Sequence, residues 1–126
     1  MPMLPYGTHL ALHDVEVERA QQNLKWGERN HPDGTGPDVY WTDSLGNCQD
    51  AKEVAELATE RCQEHFDVDH TGTWLDIALE EVAEAFAECD PSRLRAELVQ
   101  AAAVLVAWIE AIDRNLALIS VNPNQE

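Results

Sequence analysis

Two helical patterns that share one short turn constrain this chain more than any other feature. Leu75, Leu79, Val82 and Phe86 recur at helical spacing over about Thr73 to Glu88. Cys89-Asp90-Pro91-Ser92 then breaks the run. Asp90 can cap the next helix, and Pro91 suits its first position. That helix runs from Pro91 to about Arg114, and between Leu98 and Ile109 its only polar residue is Gln100. A helix apolar nearly all round for three turns reads as buried. The stretch falls short of the roughly 20 residues that a membrane span needs.

The remaining chain supplies two more helices. The first runs from about Asp14 to Trp26, with Val17, Ala20 and Leu24 on one face and Gly27 as a stop. A loop from about Glu28 to Asn47 follows; Pro32, Pro37, Gly34, Gly36 and Gly46 forbid a regular helix there. Loops of this length are often functional or mobile. The next helix spans about Asp50 to Phe66, with Ala51, Val54, Ala55, Ala58, Cys62 and Phe66 as its apolar stripe. Asp67 to Gly72 is a break, and Thr73 or Thr71 caps the helix after it. The tail after Arg114 reads as a partly ordered extension. No strand pattern emerges. The chain is therefore expected to be all-α, a single domain over residues 1–126 with a four-helix core at about 12–114.

The turn acts as a mirror. Glu84 and Glu97 are equidistant from the Asp90–Pro91 bond, and so are Glu81 and Gln100. Residues three apart share a helix face. In an antiparallel hairpin, Glu84 then stands level with Glu97, and Glu81 with Gln100. Carboxylates gathered inside a bundle repel one another and lose hydration. A divalent cation relieves both, and oxygen-only ligands suit Mg²⁺ or Mn²⁺ rather than zinc. The alternative is a solvated helix face, which Glu80 fits better than Glu81, because it lies about 100° further round.

The string LEEVAEAFAECDPSRLRAELVQAAAVLVAWIEAID, residues 79–113, resembles the hairpin of the MazG-like all-α nucleotide pyrophosphohydrolases. Their signature is ExxE on one helix, a short turn, and ExxD on the next. The resemblance implies a four-helix bundle. It also implies cleavage of a nucleoside triphosphate between its α and β phosphates. Carried over by motif, Glu81, Glu84 and Glu97 are metal ligands, and the family's aspartate falls on Gln100. An amide oxygen can ligate a hard cation but brings no charge. Glu80 is a candidate general base. Gln100 favours an alternative of another class: a non-catalytic bundle of the same ancestry, acting as a nucleotide sensor or protein-interaction module.

Substrate contacts are sought among aromatic and basic residues. Trp74 is nearly in line with Glu81, and Trp108 with Glu97, so the two are expected to meet; core packing is the other reading. Lys25, Trp26, Arg29 and His31 cluster where the first helix enters the glycine loop. With only 8 Lys and Arg in the chain, they are candidate phosphate or base contacts, or else simply surface. Arg93 and Arg95 flank the turn and are candidates to face the carboxylates.

Charge narrows the partners. Asp and Glu total 24, for a net charge of -16, which repels a nucleic-acid backbone. A nucleotide is compatible if cations screen its phosphates; the charge also serves solubility. Cys48, Cys62 and Cys89 are odd in number and form no CxxC, as in a reducing cytoplasm. No membrane partner is expected, and the uncovered apolar helix surface points to a homodimer or larger homo-oligomer. Asp67 to Thr71 matches a DxDxT phosphatase pattern, but it follows a helical segment instead of ending a strand. GTG in the loop lacks a preceding strand.

Overall fold

A computed structural model describes residues 2–42 and 48–121, with side chains over 2–39 and 50–117. Among these residues it is mostly helical, with four α-helices and a short two-stranded ribbon. No helix among them is long and apolar enough to cross a membrane. The chain divides into two compact units, Asp33–Val104 and the pair Met1–Pro32 with Leu105–Glu126.

The unit Asp33–Val104 holds the carboxylate hairpin. Strands β1 (Tyr40–Thr42) and β2 (Cys48–Asp50) pair antiparallel, Trp41 opposite Gln49. This corrects the expectation of no strand; three-residue strands are too short to display a two-residue period. Asp43 to Asn47, the end of the expected loop, lies outside the described residues, as do the last residues of the tail. The middle of that loop is fastened. The Gly36 N–H donates to the Phe86 carbonyl at 3.0 Å, and the Thr35 hydroxyl donates to the Glu88 carbonyl at 2.7 Å. Both satisfy carbonyls left open at a helix C-terminus. Gly36 is buried with φ 147, a backbone that favours glycine.

Helix α2 (Ala51–Gln63) starts at Asp50, whose carboxylate accepts the Glu53 N–H at 2.8 Å. It continues as a π-helical turn, Glu64–Val68. Helix α3 (Trp74–Phe86) starts at Thr73, with a capping box formed by Thr73 and Asp76. Helix α4 (Pro91–Val121) starts at Asp90, whose carboxylate accepts the Arg93 N–H at 3.0 Å. It runs past Arg114 because no proline or glycine interrupts the chain until Pro123.

The buried residues of this unit are mainly alanines: Ala51, Ala58, Ala78, Ala83, Ala85 and Ala101, with Leu94. Small side chains let helices approach closely, but they bury little area. Leu75, Leu79 and Phe86, expected as the inward stripe of α3, are more than a third exposed. Leu98 and Val99 are about half exposed while Ala101 is buried and Val104 and residues 106–109 are half-buried, so among the described residues the apolar stretch of α4 is covered only in part, where full burial is expected.

In the other unit, helix α1 (Tyr6–Trp26) starts well before Asp14. The Pro5 carbonyl accepts the Thr8 N–H at 3.0 Å, and Gly27 closes the helix at φ 67. Its inward face is Thr8, Ala11 and Gln22, not Val17, Ala20 and Leu24, which are exposed. Ala11 is fully buried, and the Thr8 hydroxyl donates to the Glu110 carboxylate of α4.

Candidate metal centre

The α3–α4 turn brings Glu81, Glu84 and Glu97 together, as the mirror spacing predicts. One carboxylate oxygen from each lies within 4.8 Å of the others. All three are half-buried, since Glu97 shares the inward line of α4 with Leu94, Ala101 and Val104. Oε2 of Glu81 and Oε2 of Glu97 are shut off from solvent and accept no hydrogen bond. Such atoms carry the full cost of desolvation.

That environment disfavours negative charge. Burial, then Glu80 and Glu97, pushes the Glu81 carboxyl above the usual carboxylate range. Burial, then Glu81, Glu80 and Glu97, does the same to Glu84. An all-oxygen donor set of this kind is chemically suited to a hard divalent cation rather than to a soft metal.

Gln100 does not share the burial. It is exposed, because the inward line of α4 passes through Glu97 and Ala101, and Gln100 falls to its side. Glu80 is not one of the three converging acids. It lines a groove of about 280 Å³ with Cys62, Phe66, Asp67 and Ile77. Burial and a hydrogen bond to the Glu80 carboxylate push the Cys62 thiol up. Cys62 and Cys89 are free.

Arg93 and Arg95 are exposed, and among the described residues neither makes an ion pair with the three carboxylates. Trp74 is half-buried in the first turn of α3; Trp108 is half-buried and belongs to the α1 unit. Also in that unit, Trp26 carries cations near its ring: Lys25 Nζ is 4.9 Å from the centroid and Arg29 Cζ 4.6 Å. Arg29 and His31 line a cavity of about 570 Å³ with Arg19, Gln22 and Asn23.

A second polar centre escaped the sequence reading. Asp76 is 1% exposed. Its Oδ1 accepts from Arg61 Nε at 2.8 Å, and its Oδ2 lies 3.0 Å from His65 Nδ1. The Thr73 N–H and hydroxyl donate to the same Oδ2 at 3.1 and 3.0 Å. His65, Arg61 and Thr73 together hold the Asp76 carboxyl far below the usual range, against the effect of burial. The signal available was T-x-x-D before an apolar run, a capping-box pattern that marks a helix start and is silent on long-range partners. In comparisons with known proteins, the chain matches no family, no curated protein and no solved structure.

Proposed function

We propose that the chain is a divalent-cation-dependent nucleotide pyrophosphohydrolase of MazG-like kind, cleaving a nucleoside triphosphate or related nucleotide to the monophosphate and pyrophosphate. The observation that carries this reading is the convergence of Glu81, Glu84 and Glu97 around two buried oxygens without partners. These three would hold Mg²⁺ or Mn²⁺, with Gln100 at the position of the family's aspartate. Such a cation, when bound, neutralises phosphate charge and lowers the pKa of an attacking water.

The chain's own residues supply the rest. Glu81, Glu84 and Glu97 orient the substrate phosphates through what they hold. Glu80 takes a proton from water as general base. The working form is a homodimer or larger, because Leu57, Leu75, Leu98 and Val99 are each about half exposed in one chain.

The test is release of phosphate or pyrophosphate from a nucleotide panel, with Mg²⁺ and with chelator. Metal-dependent pyrophosphate release that Glu84→Gln abolishes supports the proposal; none across the panel refutes it. One observation favours the non-catalytic alternative: the fourth position of the motif is an exposed amide. That alternative predicts nucleotide binding without turnover.

A further inference from the structure

The groove beside Glu80 runs toward the three carboxylates. Ile77 in the groove, then Glu81 and Glu84, follow at i, i+4 and i+7 on α3 and so share one stripe of the helix. The rise from Ile77 is roughly 6 Å to Glu81 and roughly 10 Å to Glu84. Glu80 stands at the junction: it lines the groove, and its charge acts on both Glu81 and Glu84. The groove measures about 280 Å³. Sites for whole drug-sized ligands take roughly 300–1,000 Å³, so this one is on the scale of a single heterocycle.

Its wall is a braced aromatic ring. A Cβ placed on Gly72 would press on Cδ1, Cδ2 and Cε1 of Phe66 alike. A point equally close to those three carbons lies over the ring's centre, so Gly72 backs one face of Phe66. Phe66 is nonetheless 40% exposed, and it lines the groove with Cys62 and Ile77 on the side that Gly72 leaves open. A ring held from behind offers a stacking face at little cost in ordering. The segment that carries it, Glu64–Val68, is π-helical, an irregularity frequent at functional sites. The rim is acidic: Asp67 and Glu80 line it with Gln63, and no Lys or Arg does. Ionised carboxylates only accept hydrogen bonds, whereas the amide both donates and accepts.

We infer that this groove seats the base of the nucleotide against Phe66, and that its rim selects a base with an exocyclic amine. The inference rests on the pyrophosphohydrolase reading proposed above and names its substrate class. An exocyclic amine donates two N–H groups, which the Asp67 carboxylate and its neighbours accept. A carbonyl in the same place would turn an acceptor toward acceptors, with no proton between them. Cytosine and adenine carry the amine; uracil and hypoxanthine carry the carbonyl.

The test is steady-state pyrophosphate release by the full chain with Mg²⁺, compared within pairs that differ at that one group: CTP against UTP, and ATP against ITP. The amino member should be favoured about tenfold or more in kcat/KM. Asp67→Asn gives the rim a donor and should bring each ratio within about twofold. Phe66→Leu should raise KM roughly fivefold for every base and keep the ratios, because stacking does not read the base edge. Turnover without preference, a preference that Asp67→Asn leaves intact, or a KM untouched by Phe66→Leu overturns this inference and spares the pyrophosphohydrolase reading. No turnover of any nucleotide overturns that reading, and equilibrium dialysis with cytidine and uridine then judges the groove. Cytidine bound more tightly than uridine, and more weakly by Phe66→Leu, upholds it; equal or absent binding overturns it.

Discussion

Arg61 Nε donates to Asp76 Oδ1 at 2.8 Å, tying the last turns of α2 to the first turn of α3. Asp76 is buried and Arg61 about half exposed, so the pair is anchored at one end and wetted at the other. Removing one member of a buried pair leaves the other's polar atoms without compensation. Asp76→Asn should lower the melting temperature by on the order of 10 °C at neutral pH. The sign with pH follows from the depressed carboxyl. Its contribution is complete above the ordinary carboxylate value of 3.8 and fades as pH falls toward the folded value. The gap between wild type and Asp76→Asn should therefore be constant from neutral pH down to about pH 5 and narrow only in stronger acid. A gap that closes already between pH 7 and 5 would mean that another group provides the stability.

The π-helical turn leans on the segment that follows it. A Cβ at Gly72 would run into the Phe66 ring. Gly72→Ala should cost about 1–3 kcal/mol by forcing the ring aside. Phe66→Leu in the same background should recover part of that loss, a coupling readable by a double-mutant cycle. Additive effects would show that the ring moves freely and that Gly72 is unconstrained by it.

Gln100 sits in solvent, and that changes what its substitution should do. Gln100→Ala removes no buried hydrogen bond, so its stability effect should stay within about 0.5 kcal/mol in chelator. Chemical denaturation measures this. A loss above about 1 kcal/mol would reveal a buried partner for the amide.

The hairpin was legible because turn and spacing are local. Asp90 and Pro91 fixed where α4 begins, and the equidistance of Glu84 and Glu97 from that turn fixed which acids face each other. Thr73 was legible as a cap for the same reason. What stayed hidden depends on partners far along the chain. T-x-x-D at Thr73 and Asp76 says nothing of Arg61 or His65. Apolar periodicity says that a face wants cover, not what covers it. Hence the spacing puts Val17, Ala20 and Leu24 on one apolar face while Ala11 is the buried residue of α1, and it marks Leu98–Ile109 for burial although Leu98 and Val99 are about half exposed. Gln100 was assigned by motif register, but helix geometry puts Ala101 on the inward line instead.

The raised carboxyls of Glu81 and Glu84 predict how cation binding should depend on pH. Each has a folded value above its unfolded one, so ionising it costs stability. That penalty is absent below the unfolded value, near pH 4.5, and complete above the raised folded value. The chain in chelator should thus carry a destabilising contribution from these groups at neutral pH that disappears in mild acid. A cation that binds the ionised cluster offsets the repulsion and stabilises only the folded state, by about 2.7 kcal/mol at one hundred times its dissociation constant. Protons compete for the same oxygens. The gain in melting temperature from Mn²⁺ should therefore be large at pH 7.5 and small at pH 5. Glu84→Gln removes one charge from the cluster. It should raise stability in chelator at pH 7.5, where repulsion is greatest, and cut the gain from Mn²⁺. Thermal melts of both proteins across a metal titration at the two pH values measure this. If Mn²⁺ raises the melting temperature equally at both, or equally in Glu84→Gln, the cation binds elsewhere and the three glutamates are not its ligands.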